Sequence, residues 1–404
     1  MFSRSFINQQ RKVLAKSTSI FRRIYRTDDS TPVNQPPPPC RQIIHKVDAS
    51  LTSSEDSAAF SVLCYNILCP QYASAAIYPY TPPQALEWNY RRDRIMNEIC
   101  LYSCDFVCMQ EVDRDIYDEW LRGTMKQEGY ESVYCPAWVK SLPRNNGKRE
   151  KRDGCAVFWK AERYGLVEDQ FIEFSNLAKN RQDFKSCKAV SKRLLQRGNI
   201  GIICLFKCLS TRKQLLLTNT HIYWDPEFCD VKLVQVGMLL REMEKVADRV
   251  RSEMAQVQPA GPPELPIVLC GDFNSLPSSG VYDFLSTGTI PKNHPDFKHF
   301  QYGRFTKHGM RHGLGLRSAY AARVGQSDEG EVLPWTNYTA HFKGVLDYIW
   351  YSKDTLESKS ILGKIDEVYL EAEKVTGFPH THFPSDHIPI MTEFAWRGST
   401  KASM

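Results

Sequence analysis

The sequence predicts an α/β fold in which two β-sheets pack face to face with helices on their outer sides. Three observations carry that expectation. Short apolar runs bounded by turn residues recur along the chain and outnumber the helical stretches between them. Runs such as Val62-Leu63-Cys64 and Ile267-Val268-Leu269-Cys270 are apolar at consecutive positions, the pattern of strands covered on both faces. No internal repeat of roughly 20–50 residues marks a solenoid or propeller.

Taken in order, residues 1–27 hold seven basic side chains (Arg4, Arg11, Lys12, Lys16, Arg22, Arg23, Arg26) and no acid. With Ser and bulky apolar residues between them, they have the composition of an organellar transit peptide, mitochondrial first and plastid second. If the segment is only a basic tail, the protein is cytoplasmic. Residues 28–57 include four consecutive prolines, Pro36 to Pro39, and are expected to be an unfolded linker. One folded domain is expected over 58–397, followed by a tail, 398–404.

The domain opens with a strand ending at Asn66. A Tyr/Pro-rich loop follows, then a helix over 85–102 with Leu86, Ile95, Ile99 and Tyr102 inside and Arg91, Arg92 and Arg94 outside. Residues 105–110 read as a buried strand ending at Glu111, 112–126 as a helix and 130–138 as extended chain. A basic loop over 140–153 (Arg144, Lys148, Arg149, Lys151, Arg152) leads into a strand over 154–159. The polar stretch 175–198 reads as an insertion between strands. Residues 200–208 and 214–220 are expected to be neighbouring strands, the second ending at His221. A long amphipathic helix spans 227–251, and a Pro-rich link leads to the strand at Ile267. A helix begins over 281–285, and 289–316, rich in Gly and His, reads as loop. A strand over 344–351 carries Asp347, and 388–394 is the last strand.

The net charge of +6 resides in the first 27 residues, whose seven positive charges leave −1 for the rest. A polyanionic ligand would therefore need a local basic patch, and the loop at 144–152 is the candidate, a solvated loop being the plain alternative. No apolar run reaches transmembrane length. The thirteen cysteines include no CxxC pair, and Cys64, Cys108, Cys204 and Cys270 sit inside apolar strands, so a reducing compartment is expected. Cys100, Cys104 and Cys108 have a spacing that zinc can use, but the first two look helical and the third strand-borne.

What remains is polar residues at strand ends: Asn66, Glu111, His221, Asp272, Asn274, Asp347, Asp386 and His387. Each has a plain reading. Asn66 can form a turn, Glu111 can cap a helix, and His221 can be a satisfied core histidine. Together they place four carboxylates and two histidines at exits of apolar strands. Crowded buried carboxylates need a cation to offset repulsion and desolvation. Oxygen donors without cysteine favour Mg²⁺ or Mn²⁺ over zinc. A hard cation with two histidines beside it suits phosphate-ester hydrolysis.

The ordered motifs Y-N-I-L (65–68), Q-E-V (110–112), N-T-H (219–221), G-D-F-N-S-L-P (271–277), L-D-Y-I (346–349) and S-D-H-I-P (385–389) resemble those of the endonuclease/exonuclease/phosphatase superfamily. The runs Y-P-Y-T-P-P-Q-A-L-E-W-N-Y-R-R (78–92) and W-D-P-E-F-C-D-V-K (224–232) are similar to the carbon catabolite repressor deadenylases. K-R-D-G-C-A-V-F (151–158) resembles their plant-type homologues without leucine-rich repeats. The resemblance implies a four-layer α/β sandwich, deoxyribonuclease I-like, and a Mg²⁺-dependent exoribonuclease, with one or two ions, that shortens poly(A) in single-stranded RNA 3′ to 5′ and releases AMP. In that picture Glu111, Asn66 and Asp386 gather at the metal. Asp272 activates water, Asn274 holds a phosphate oxygen, and His387, held by Asp347, acts with His221 on developing charge. Phe342 and Pro226 would contact the adenine, and Lys148, Arg149 and Arg152 the backbone. Residues 1–57 carry no leucine-rich-repeat pattern, so a docking surface for a large deadenylase assembly is expected to be missing. Superfamily relatives acting on NADP(H) or on 2′-5′ oligoadenylate supply the alternative, a phosphatase or phosphodiesterase.

Overall fold

The computed structural model describes residues 38–46, 59–137, 153–257, 265–322 and 330–397. The basic loop 144–152 and the segment 1–27 lie outside these. The main strands are β1 (Ile43–His45), β2 (Phe60–Asn66), β3 (Phe106–Asp113), β4 (Tyr130–Pro136), β5 (Asp153–Lys160), β6 (Tyr164–Glu173), β7 (Ile200–Cys208), β8 (Gln214–His221), β9 (Ile267–Asp272), β10 (Leu316–Ser318), β11 (Asp347–Ser352), β12 (Leu356–Leu362) and β13 (Ile390–Trp396). They form a seven-stranded sheet ordered β1-β12-β13-β2-β3-β5-β4 and a six-stranded sheet ordered β10-β11-β9-β8-β7-β6.

Side-chain alternation builds four layers. Val62, Cys64, Phe106, Cys108 and Val157 of the first sheet face Ile202, Cys204, Leu217, Val268 and Cys270 of the second in one buried cluster. The opposite faces bury Leu63, Tyr65, Val107 and Met109 against Ile95 and Ile99 of helix α1 (Trp88–Tyr102). Leu205, Leu216, Ile267 and Leu269 pack against helix α2 (Cys229–Val257) and helix α3 (Gly280–Thr287). Strands covered on both sides explain the unbroken apolar runs.

Each sheet has one parallel pair near its middle, β2 with β3 and β8 with β9. Parallel neighbours end on the same side, so Asn66 and Glu111 leave one sheet together and His221 and Asp272 leave the other in register. β11 runs antiparallel to β9 and starts where β9 ends, with Asp347 opposite Asp272. β13 runs antiparallel to β2, so the Asp386-His387 entry lies at that rim too.

Several expectations need correction. Part of the supposed linker, Ile43–His45, is a strand pairing with β12, and Arg41 beside it donates to the carbonyls of Gly363 and Pro389. The strand expected over 105–110 continues to Asp113, and the following helix starts at Arg114 and contains a π turn, Tyr117–Leu121. α1 ends at Tyr102, with Ser103 left-handed (φ 45°), so Cys104 is not helical. Arg91 is fully buried rather than exposed: it donates to the carbonyls of Pro384, Ile67 and Leu68. Residues 289–316 contain a two-stranded ladder, Thr289–Ile290 with Met310–Arg311, and short helical turns. All thirteen cysteines are free, and Cys64, Cys108, Cys204 and Cys270 are buried as expected. Cys100, Cys104 and Cys108 form no metal-holding group among the described residues.

Candidate active site

Glu111 reaches the rim because β3 is irregular there. The register with β5 shifts between Met109 and Val112, and Glu111 takes a left-handed conformation (φ 56°). An extra residue in a strand redirects its side chain, at a conformational cost for any residue but glycine. The carboxylate accepts from the Cys69 backbone N–H (2.9 Å) and from Asn66 Nδ2 (3.1 Å). The same Asn66 amide donates to Asp272 Oδ2 at 3.0 Å, while its oxygen accepts from Leu68 N. Asn66 therefore ties the two sheets' carboxylates together, and its oxygen is engaged by backbone. Burial, then the charges of Asp386 and Asp153, push the Glu111 carboxyl up to about 7. That is the repulsion a cation at this rim would relieve.

Asp272 is buried, and one oxygen faces both histidines, with His221 Nε2 and His387 Nε2 each 3.6 Å from Oδ2. Its other oxygen accepts from Asn274 N at 2.9 Å. Burial raises its pKa, and the nearby His387 works the other way. His387 Nδ1 sits 2.7 Å from Asp347 Oδ2, which also accepts from Thr336 Oγ1 at 2.6 Å. Burial opposes charge on His387, but Asp347, Asp272 and Asp386 outweigh it and raise its pKa well above the ordinary value. An Asp347–imidazolium pair pointing its remaining N–H at the rim results. Asp347 Oδ1 is buried without a partner.

Asn274 is left-handed (φ 49°). Its amide donates to Ile222 O (3.0 Å) and lies 3.2 Å from His221 Nε2. Its carbonyl accepts from the buried Lys232 ammonium, whose pKa burial lowers to about 8. Asp386 accepts from Tyr78 OH (3.0 Å) and Asn337 Nδ2 (3.2 Å). Phe342 lies at the edge, 38% exposed, on the hairpin Asn337–Thr339/Phe342–Gly344 whose Asn337 holds Asp386. Its ring packs over Gly344 beside Leu276, and a Cβ on Gly344 would stand 2.8 Å from that ring. Pro226 begins a short 3₁₀ turn in the exposed loop after His221. Every strand-end residue expected from the sequence thus lies at this rim.

Asp272, Asp347 and His387 can bring ligand atoms within 4.8 Å of one another. That trio is already joined through His387, and a protonated imidazole is no ligand. The donor set that fits a hard cation is Glu111 with Asp386: oxygen donors, one half-buried and one buried, mutually repelling, without sulfur.

Sequence reasoning missed Tyr78, Thr336, Asn337, Lys232 and Asp153. Asp153 is buried and accepts from Tyr72 OH (2.9 Å) and Gln71 Nε2 (3.2 Å). Tyr78, Lys232 and Asp153 stood inside motifs already singled out. Nothing local marks Thr336 or Asn337, which matter through bonds to Asp347 and Asp386, 11 and 49 residues away.

Two mixed sheets face to face between helical layers, with acids and histidines gathered at one common rim, define a four-layer α/β sandwich of the deoxyribonuclease I-like class. The chain belongs to the endonuclease/exonuclease/phosphatase family, whose model matches residues 63–387. It is 40% identical over 391 residues to the CCR4-Not complex 3′-5′-exoribonuclease subunit Ccr4 of Mycosarcoma maydis, covering 93% of this chain and 57% of that protein. The Ccr4 subunit of Schizosaccharomyces pombe is 40% identical over 356 residues, 85% of this chain and 50% of its own. The chain thus spans about half the length of these relatives. Among solved structures, ANGEL2, described as a 2′,3′-cyclic phosphatase, superposes with a TM-score of 0.66 at 25% identity, covering 88% of this chain and 98% of that one. The human Nocturnin catalytic domain shares the fold at a TM-score of 0.58 and 23% identity, covering 89% and 99%.

Proposed function

We propose that this chain is a metal-dependent 3′-5′ exoribonuclease that shortens poly(A) and releases AMP. The observation that carries the reading is the joint placement of Glu111, Asp272, Asn274, His221 and the Asp347–His387 pair at one rim, in a chain 40% identical to Ccr4 exoribonuclease subunits. Glu111 and Asp386 would hold Mg²⁺, which when bound supplies Lewis-acid polarisation of a phosphate oxygen. Asp272 orients and deprotonates the attacking water. The imidazolium of His387, fixed by Asp347, donates toward developing negative charge, and His221 and Asn274 contact the phosphoryl oxygens. Phe342 offers a ring for adenine to stack on, worth about 1–3 kcal/mol.

The test is AMP release from labelled homopolymers of A, U and C, beside NADP⁺ and 2′-5′ oligoadenylate, with and without EDTA. EDTA and Glu111→Ala should each lower AMP release by at least about a hundredfold. Full activity in both would remove the site assignment. Faster phosphate release from NADP⁺ than AMP release from poly(A) would move the protein to the phosphatase reading, which the ANGEL2 likeness favours. The basic, acid-free residues 1–27 support import into mitochondria, checked by whether a fluorescent fusion carrying them leaves the cytosol.

A further inference from the structure

Resting on the RNA reading above, we propose a second contact region for RNA: a basic cleft beside the catalytic rim that holds the phosphate backbone upstream of the scissile bond. The cleft measures about 1130 Å³ and lies between the insertion joining β6 to β7 and the segment 299–308. Lys188, Arg304 and Lys307 line it with His299 and His308, all five exposed. Asp183 is the acid of the lining, and it is engaged by Arg181 (2.7 Å) and by the Arg304 backbone N–H (2.9 Å). The lining therefore presents positive charge with no carboxylate paired to Lys188, Arg304 or Lys307 among the described residues.

One contact roots the insertion at the catalytic rim, and two more tie the walls of the cleft to the start of α2. The insertion leaves β6 after Glu173 and enters β7 at Ile200, which is the residue opposite His221 in the ladder. Asn199, its last residue, donates to His221 O at 3.1 Å. Arg193 of the insertion chelates Asp230 at the start of α2 (2.7 and 2.8 Å), and Lys298, next to His299, donates to Glu227 O at 2.7 Å. Glu227 adjoins Pro226 and lies six residues beyond His221, so chain length puts it within about 20 Å of that histidine. A single strand leaving the rim past Pro226 meets the cleft within a few nucleotides, inside the site sizes single-strand binders use.

The two walls are built to stay together. Gly303 has φ 55°, and a Cβ there would stand 2.5 Å from Asp183 O, so only glycine lets the segment lie against the insertion. Arg181 lies over both Phe184 of the insertion and Phe305 of the segment, 4.4 Å from each ring. Because the domain carries almost no net charge outside residues 1–27, a fixed basic cleft matters more to a polyanion than it would on a uniformly basic protein.

The test compares the parent with Lys188→Ser/Arg304→Ser/Lys307→Ser, each also carrying Asp272→Asn so that RNA is not consumed during binding. Affinity for a poly(A) strand of about twenty nucleotides is measured against salt. Three lost phosphate contacts should flatten the log–log slope by about 2, so the parent loses roughly twentyfold more affinity than the variant between 50 and 200 mM salt. Lys188→Arg/Lys307→Arg should keep the parental slope. With Asp272 restored, the ratio of kcat/KM on the long strand to that on a trinucleotide should fall. A folded triple variant with parental affinity and slope overturns the cleft, as does a cleft that only acidic polypeptide, and not RNA, occupies. Absence of RNA hydrolysis by the parent would instead strike the function reading, leaving the binding result to judge the cleft.

Discussion

At Asp347 a single carboxylate fixes the state of the site. It accepts from Thr336 Oγ1 and faces His387 Nδ1, and its charge helps raise the histidine's pKa. Asp347→Asn keeps the size and the Thr336 contact but removes the charge. Expected is a kcat lower by about a thousandfold with KM little changed and the fold intact, since a misdirected imidazole costs turnover rather than binding. A variant with parental kcat would show that His387 needs no such partner. Glu98 gives a residue-scale prediction away from the rim. Its carboxylate accepts from Tyr65 OH (2.6 Å), and burial raises its pKa from 4.5 to about 7. An acid with a raised folded pKa favours the fold below its unfolded pKa, and that contribution is lost as pH rises from about 4.5 to 7. Glu98→Gln should therefore match the parent near pH 4.5 and gain stability up to pH 8, by at most about 3 kcal/mol. Denaturant unfolding at both pH values checks the sign.

At the level of elements, what could be read in the sequence depended on how strands are covered. β2, β8 and β9 are buried on both faces, so their apolar runs and polar ends were visible without any structure. β6 alternates exposed and covered positions at the edge of its sheet and carries Glu168, Asp169 and Gln170, so it has no apolar run to find. β12 turns Ser358 and Ser360 inward, where Ser358 and Thr392 pair their hydroxyls at 3.1 Å, and so reads as polar. The site divided the same way: strand-end residues stood out, whereas Thr336 and Asn337 act by hydrogen bonds that no local pattern encodes. β1 was hidden by the prolines before it, yet it covers the free edge of β12. A chain starting at residue 47 loses that ladder and the Arg41 bonds to Gly363 and Pro389, which tie β12 to the entry of β13. Its expected destabilisation is about 2–3 kcal/mol, with greater self-association through the bared edge. Thermal unfolding and light scattering of the shortened chain test both parts, and parental values in each would make β1 ornamental.

On the scale of the whole molecule, the site exists because two sheets are locked in one relative position. Asn66 and Glu111 come from one sheet, and His221 and Asp272 from the other. The lock is polar and fully buried. Asn219, two residues before His221, donates from β8 to the carbonyls of Met109 and Ala156 across the sandwich, each at 2.9 Å, and accepts from Gln110 Nε2 at 2.7 Å. Met109 and Ala156 are the pair at which the β3–β5 register breaks, two residues before Glu111. The second sheet thus satisfies the backbone groups next to the irregularity that aims the first sheet's carboxylate. Asn219→Ala would remove a donor from two buried carbonyls and the shortest partner of the Gln110 amide, which would keep only its longer contacts to Cys64 Sγ (3.4 Å) and Cys108 O (3.5 Å). The expected cost is about 2–4 kcal/mol, a fall of roughly 3–6 °C in Tm for a domain of this size. Activity should fall further than unfolding explains, measured well below the new Tm, because Glu111 loses the support of its left-handed conformation. Pairing Asn219→Ala with Gln110→Ala should give a coupling of about 1 kcal/mol or more in a double-mutant cycle. Parental activity in a destabilised Asn219→Ala protein would mean that the irregularity in β3 holds Glu111 by itself, and that the sheets contribute residues to the site without fixing each other's geometry.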